Sequence, residues 1–306
     1  MVKLQNFVKL KSLKNAFSLP VFIFTKHSNL KVFIDFSNME MTMKNIYFLG
    51  GGNMCAALLG RLKDDTRFRL FVAEQNPERQ DFLRQNFSVE VNTTLPELTP
   101  NDILLLAVKP QDMQNALQNV QHHGALILSI AAGLPCKTLS KWLNNTHRIV
   151  RIMPNTPAQI GMGMAGLFAD CEVSAEDKNQ AEYIMNAVGK TFWVNEEDEL
   201  HTVTAVSGSG PAYVFYMMNA MFQAAISLGM DSKTAKTAIL QTVIGSAQLA
   251  EQSEEDFAEL QRKVTSKGGT TAAALSIFDE AKLTTIMQQA LEACHHRSVE
   301  MGQSID

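Results

Sequence analysis

The chain has 306 residues, of which 46% are hydrophobic and 19% charged, with 17 Gly and 9 Pro. At about 150 residues per domain this is length for two domains, and the composition excludes collagen, coiled coil and wholesale disorder. Lys plus Arg number 27 against 31 for Asp plus Glu, a formal net charge of -4 that offers no basic footprint to nucleic acid or to an anionic membrane surface.

The four cysteines, Cys55, Cys136, Cys171 and Cys294, are widely spaced, with no CxxC pair and no His at zinc-ligand spacing. Neither a disulfide framework nor a metal site is expected, and the pattern fits a reducing, cytoplasmic setting. Residues 1–43 differ from the rest. Six Lys precede the first acidic residue, Asp35, and no Arg occurs among them. The apolar runs there are too short to span a bilayer, and Pro20 interrupts the only one resembling a signal-peptide core. This leader is expected to be disordered or to precede a natural start at Met41 or Met43, with a targeting segment as the alternative. Residues 44–306 carry 21 basic and 29 acidic side chains, so the body is acidic.

Residues 45–49 (NIYFL) form a β-rich apolar run that enters Gly50, Gly51 and Gly52, then Asn53, Met54 and a stretch of helical composition over 55–60. In the dinucleotide fingerprint GxGxxG/A, the first Gly permits a tight turn and the second lets a pyrophosphate approach the backbone at a helix N-terminus. Gly50 and Gly52 take these roles, and Cys55 stands at the third, small-residue position. An ordinary βα turn has the same glycines; the strand before and helix after favour the cofactor reading.

Further apolar runs at 69–74, 103–108, 125–131 and 148–153 predict a parallel sheet covered on both faces, a Rossmann-like domain over 44–198. Ligands of such sheets bind beyond the carboxyl ends of the strands, which directs attention to Lys109-Pro110, Ala131-Ala132-Gly133 and the segment 154–157 (PNTP). Glu74 closes the second strand, where a carboxylate can accept from both ribose hydroxyls of NAD and repel a 2′-phosphate; this leans towards NADH. Arg79, five residues on, could instead bind a phosphate.

From 199 the pattern is helical only, giving a second domain over 199–306. The segment 207–211 (SGSGP) is a turn leading into a helix that stops at Gly229. Over 212–228 that helix has only Asn219, Gln223 and Ser227 as its polar stripe, and at roughly 26 Å it is too short to favour a membrane span. A helix apolar nearly all round must be buried on several sides, so a second subunit is expected to cover it. Asp231 and Ser253 are expected to open two more helices. After them, 264–271 (VTSKGGTT) leads into an Ala-rich helix, where unpaired backbone N–H groups can cradle a carboxylate. A plain helix cap is the alternative there.

Taken together, FLGGGNM (48–54), AVKPQDM (107–113), AAGL (131–134), RIMPNTP (151–157), SGSGPAYVF (207–215) and VTSKGGTT (264–271) closely resemble the pyrroline-5-carboxylate reductase family, from about Lys44 to Glu300. The resemblance implies an N-terminal Rossmann-like domain, a C-terminal helical domain that interlocks into a homodimer, and rings of dimers. It implies reduction of 1-pyrroline-5-carboxylate to L-proline by NADPH or NADH. It further implies cofactor contacts from Leu49, Gly50, Gly51, Gly52, Asn53 and Met54, from Asn92, from Ala107, Val108, Lys109 and Pro110, and from Ile130, Ala131 and Ala132. Substrate contacts follow in the same way for Ser266, Gly268, Gly269, Thr270 and Thr271, with Glu254 nearby.

A cyclic imine that can already be protonated needs positioning more than a strong acid, which accords with the lack of a His/Asp catalytic pair. Thr271 is therefore assigned the hydrogen bond to the ring nitrogen, and the Gly268-Gly269 backbone the carboxylate. Three positions depart from the family pattern: Glu74-Gln75 where Asn or Ser and then Arg are frequent, Lys263 in place of Asn, and Lys267 in place of Pro. Two rivals are a two-domain hydroxyacid dehydrogenase and a non-catalytic dinucleotide sensor; neither needs GGTT.

Overall fold

The computed structural model describes residues 43–303 and two short strands, β1 (Val21–Phe22) and β2 (Phe33–Ile34), which pair antiparallel. The expectations for the leader otherwise fall outside the described residues. Residues 44–306 form a unit of their own.

That unit begins with β3 (Lys44–Leu49), α1 (Asn53–Leu62), β4 (Phe68–Ala73), α2 (Pro77–Phe87) and β5 (Glu90–Asn92). It continues with β6 (Ile103–Leu106), α3 (Pro110–Leu117), β7 (Leu126–Ser129), α4 (Cys136–Trp142) and β8 (Ile149–Met153). A 3-10 turn (Thr156–Ile160) leads to β9 (Gly163–Ala169), α5 (Ala175–Asn186) and β10 (Gly189–Trp193). The strands form one eight-stranded sheet in the order β10-β9-β8-β7-β6-β3-β4-β5, parallel throughout except between β8 and β9.

Alternate residues of each central strand enter different cores, as a pleat of period two requires. Ile103 and Leu105 of β6 join Leu58 and Leu59 of α1, Leu83 of α2 and Ile184 of α5 on one face. Leu104 and Leu106 join Met113 of α3 and Leu139 of α4 on the other. All four β6 side chains are fully buried, so the run reads as continuously apolar because it is covered twice.

The Rossmann-like α/β class is as the sequence predicts, but its five strands become eight. The strands β5, β9 and β10 are additional to those five, and β9 and β10 run opposite to the parallel sheet expected. Strand β5 is only three residues, Glu-Val-Asn. In β9 the apolar pattern is broken by Gly163 and Gly166, which serve packing: a Cβ on Gly166 would lie 2.8 Å from Val203 Cγ1, and one on Gly163 2.9 Å from Ala158.

Beyond β10 the chain is helical: α6 (Glu199–Val203), a π-helical turn (Thr204–Gly208), α7 (Gly210–Ser227), α8 (Ser232–Gln252), α9 (Phe257–Lys263), α10 (Thr270–Glu280) and α11 (Leu283–Gln303). Asp231 caps α8 by accepting from Thr234 N at 3.0 Å, as expected. The expected start at Ser253 is corrected: Ser253 closes α8, and Asp256 caps α9 through Glu259 N at 2.8 Å. Asp256 lies one residue before the first helical position, where a short carboxylate reaches the free N–H groups.

Candidate active site

Because β7, β6, β3, β4 and β5 are consecutive and parallel, their carboxyl ends share one edge of the sheet. Every residue assigned to the cofactor falls there. Leu49 ends β3; Gly50, Gly51 and Gly52 form the turn; Asn53 and Met54 open α1. Asn92 ends β5, Ala107, Val108 and Lys109 follow β6, Pro110 opens α3, and Ile130, Ala131 and Ala132 follow β7.

Gly50 has φ +98, and a Cβ there would lie 2.8 Å from the Ala107 carbonyl oxygen, so the left-handed turn and the tight approach to β6 both demand glycine. On Gly52, the N-cap of α1, a Cβ would meet nothing closer than Ala107 O at 3.9 Å. No side chain caps α1. Its first N–H groups therefore point into open space beside bare backbone, a fit for the pyrophosphate of a dinucleotide. Cys55 is fully buried beneath the turn, and burial pushes its thiol well above the usual range, so it acts as a small packing residue.

Glu74 immediately follows β4, and its carboxylate is already engaged. Oε2 accepts from Gly51 N and Oε1 from Asn76 N, each at 2.8 Å. Arg79 holds the same turn from the other side, donating through Nε to Gly51 O and through Nη2 to Gly52 O at 3.1 Å. The two side chains thus clamp opposite polar groups of the glycine turn. Glu74 is fixed beside it with lone pairs left for a ribose, while Arg79 is a cation whose donors can be reassigned.

The second group of residues gathers at the start of α10. Gly268 adopts φ +71, Gly269 is the N-cap, and Thr270 and Thr271 are the first helical residues. A Cβ on Gly269 would lie 2.3 Å from Ser266 Oγ, so the Ser266 side chain folds over bare backbone. Gly269 N donates to Ser266 O at 3.0 Å, and the first backbone bond of the helix runs from Ala273 N to Gly269 O at 3.1 Å. The N–H groups of Thr270, Thr271 and Ala272 precede that bond and face outward, as an anion requires. Glu254 is exposed between α8 and α9. Lys263 is drawn into an ion pair with Glu255.

Several ties join the sheet to the helical part, among them Lys190 of β10 with Glu251 of α8 and two near the post-strand loop of β8. Asn155 donates through Nδ2 to Ser207 O at 3.0 Å, and Arg151 pairs with Glu197 at 2.8 Å, whose Oε1 also accepts from Cys136 N at 2.7 Å. Met153 lies against Gly208, where a Cβ would come within 2.4 Å of its Cε. The spacing of the PNTP segment marks only a post-strand loop; its role in holding the SGSGP turn exists only in three dimensions.

Residues 197–301 match the family model for pyrroline-5-carboxylate reductase dimerisation, and residues 45–133 match that for NADP oxidoreductase coenzyme F420-dependent. A pyrroline-5-carboxylate reductase of Pseudomonas aeruginosa is 40% identical over 271 residues, covering 87% of this chain and 99% of that protein. The chain belongs to the pyrroline-5-carboxylate reductase family. A solved reductase from Coxiella burnetii superposes with a TM-score of 0.76 at 35% identity, covering 85% of this chain and 99% of that one. The Plasmodium falciparum pyrroline carboxylate reductase, solved with NADP bound, gives a TM-score of 0.75 at 28% identity over 86% and 99% of the two chains.

The helical part of this family member, which matches the dimerisation model, lacks cover within one chain. None of the 18 residues of α7 is buried within the chain, and Phe215 and Tyr216 are 64% and 75% exposed. Helix α7 packs against α8, which buries only Ala235 and Ile239. Leu228, Leu240, Ile244 and Ile277 extend the apolar surface. An exposed surface of this size marks an interface, which explains how a helix read as buried from its sequence is exposed in one chain. No helix among the described residues is long and apolar enough to cross a membrane.

Proposed function

We propose that this chain reduces 1-pyrroline-5-carboxylate to L-proline, the last step of proline biosynthesis, as a cytoplasmic homodimer that can assemble into rings of dimers and needs neither nucleic acid nor membrane. The observation that carries the reading is the uncapped start of α10. Gly268 at φ +71 and the outward N–H groups of Thr270 and Thr271 make a carboxylate cradle, in a chain whose sheet edge fits a dinucleotide. Neither a hydroxyacid dehydrogenase nor a dinucleotide sensor needs that cradle.

In this reading residues 44–198 hold the cofactor and residues 199–306 hold the substrate and the dimer contact. When bound, NADPH or NADH would supply the hydride to C5 of the C=N double bond, and the protonated imine already carries the hydrogen that the product nitrogen needs. The turn Gly50-Gly51-Gly52 and the N-terminus of α1 would hold its pyrophosphate, Glu74 would hold the adenosine ribose, and the loops after β6 and β7 would hold the nicotinamide end.

Ser266, Gly268 and Gly269 fix the substrate carboxylate while the Thr271 hydroxyl hydrogen-bonds the ring nitrogen, donating to the neutral imine and accepting from the N–H of its protonated form. Glu254 and Thr270 flank them. These groups orient the ring so that one face meets the hydride, and positioning of this kind is what an imine already prone to protonation requires. The test is cofactor oxidation by the purified enzyme on adding 1-pyrroline-5-carboxylate, with an oxo acid as control. Oxidation with the imine alone supports the assignment, and oxidation with the oxo acid alone replaces it with a hydroxyacid dehydrogenase.

A further inference from the structure

We propose a zinc-type metal site at His147, Asp170 and Cys171, on the rim of the sheet where β8 begins and β9 ends. One imidazole nitrogen, one carboxylate oxygen and the thiol sulfur all lie within 4.8 Å of one another. Their sequence separation hid them, since His147 stands 23 positions before Asp170. The antiparallel pairing of β8 with β9 closes that gap.

The frame is rigid. Asp170 N donates to Ile149 O at 3.0 Å and Glu172 N to His147 O at 3.4 Å, which continues the ladder past the end of the strands. The Glu172 carboxylate accepts from His147 N at 3.3 Å. Asp170 Oδ2 lies 2.9 Å from His147 Nδ1, while its Oδ1 accepts from Cys171 N at 2.8 Å, so the carboxylate is aimed at the ring and cannot turn away. The bonds from His147 N to Glu172 and from Cys171 N to Asp170 Oδ1 involve backbone N–H groups outside the donor set and orient the ligands, while the Nδ1–Oδ2 bond between the donors themselves gives way to the metal.

The donor set selects the ion. An imidazole with a thiolate and a carboxylate suits zinc, whereas calcium and magnesium take oxygen alone. Tetrahedral zinc with bonds of about 2.0–2.3 Å separates its donors by about 3.3–3.7 Å, so closing the site needs roughly 1 Å of movement. The Cys171 side chain, exposed and on a turn, can supply it. Three protein donors leave the fourth position to water. An ordinary His–Asp ion pair would explain two of the three residues but not the thiol beside them.

Cobalt(II) reports a thiolate ligand by an intense sulfur-to-metal absorption. The full-length protein, stripped with chelator, should take up one equivalent of Co2+ per chain with that absorption, and Zn2+ should displace it. Cys171→Ser, a substitution at an exposed position, should abolish the absorption, and His147→Gln should weaken binding by about tenfold or more. The other thiols are internal controls, because Cys55 and Cys136 are buried and Cys294 lies elsewhere, against Ser209. Absence of the absorption in the full chain overturns the proposal, as does its persistence in Cys171→Ser or an unchanged affinity in His147→Gln.

Discussion

The Asn155 side chain joins Ser207 to the sheet: its amide donates to the Ser207 carbonyl at 3.0 Å while its own carbonyl oxygen accepts from Met164 N at 2.9 Å. One side chain thereby satisfies two backbone groups, at the start of β9 and in the π-helical turn that launches α7. Asn155→Ala orphans both, at a cost of about 1–3 kcal/mol. An unfolding free energy lowered by that amount, read from the denaturant midpoint, is expected together with reduced turnover; an unchanged midpoint would show that the turn holds itself.

Gly50 tolerates no side chain. With φ +98 and a Cβ position 2.8 Å from Ala107 O, Gly50→Ala must push β3 from β6 or change the turn. Affinity for NADH and NADPH should fall together, measured by cofactor fluorescence. Retained affinity for either would place the pyrophosphate elsewhere.

Glu74 is held by Gly51 N and Asn76 N, which fixes its carboxylate beside the proposed adenosine ribose site. Glu74→Gln removes the charge and keeps the size. The ratio of kcat/KM for NADPH to that for NADH should rise by about tenfold, equivalent to about 1.4 kcal/mol. A strong NADPH preference in the unmodified enzyme contradicts this role, with Arg79 then the controlling group.

Thr271→Ala removes the proposed donor to the ring nitrogen and leaves the α10 backbone in place. The expected result is a fall in kcat of about 100-fold with the KM for the cofactor little changed. Unchanged kinetics would take Thr271 out of the mechanism.

Phe215 is 64% exposed in the single chain, on a helix with no buried residue. Phe215→Glu places a charge in the proposed dimer contact and should convert the dimer to monomer or aggregate on size-exclusion chromatography. A stable dimer would move the interface to another helix face.

His201 of α6 lies against Ser298 of α11, Nδ1 to Oγ at 2.8 Å. Burial, and then the charge of Arg151, hold its imidazole below the ordinary value of 6.5. With the folded value depressed, the unfolded chain takes up the proton first as pH falls, so stability declines on acidification through that range. Replacing His201 by Asn should flatten the pH dependence of the melting temperature below about pH 6.5. An equal slope in both proteins would assign the acid loss to other groups.

Much of this was legible along the chain. The strand, glycine turn and helix at 45–60, the Glu74 position, the uncapped GGTT start and the apolar helix at 212–228 each rest on local spacing, and the structure places them as those spacings predict. The strands β5, β9 and β10 were not legible, because three residues carry no period and the glycines of β9 answer to neighbours distant in sequence.

Sequence by itself determined the local devices: which residues can turn with positive φ, which helix starts lack a side-chain cap, which runs are covered on both faces. Only the tertiary structure decided that Glu74 and Arg79 share one turn, that Asn155 fastens Ser207, and that α7 is left bare within its own chain. Backbone conformation and burial pattern depend on neighbours a few residues away and leave a periodic trace. Contacts across 20 to 50 positions depend on strand order and on the partner that covers a face, and no local period records either.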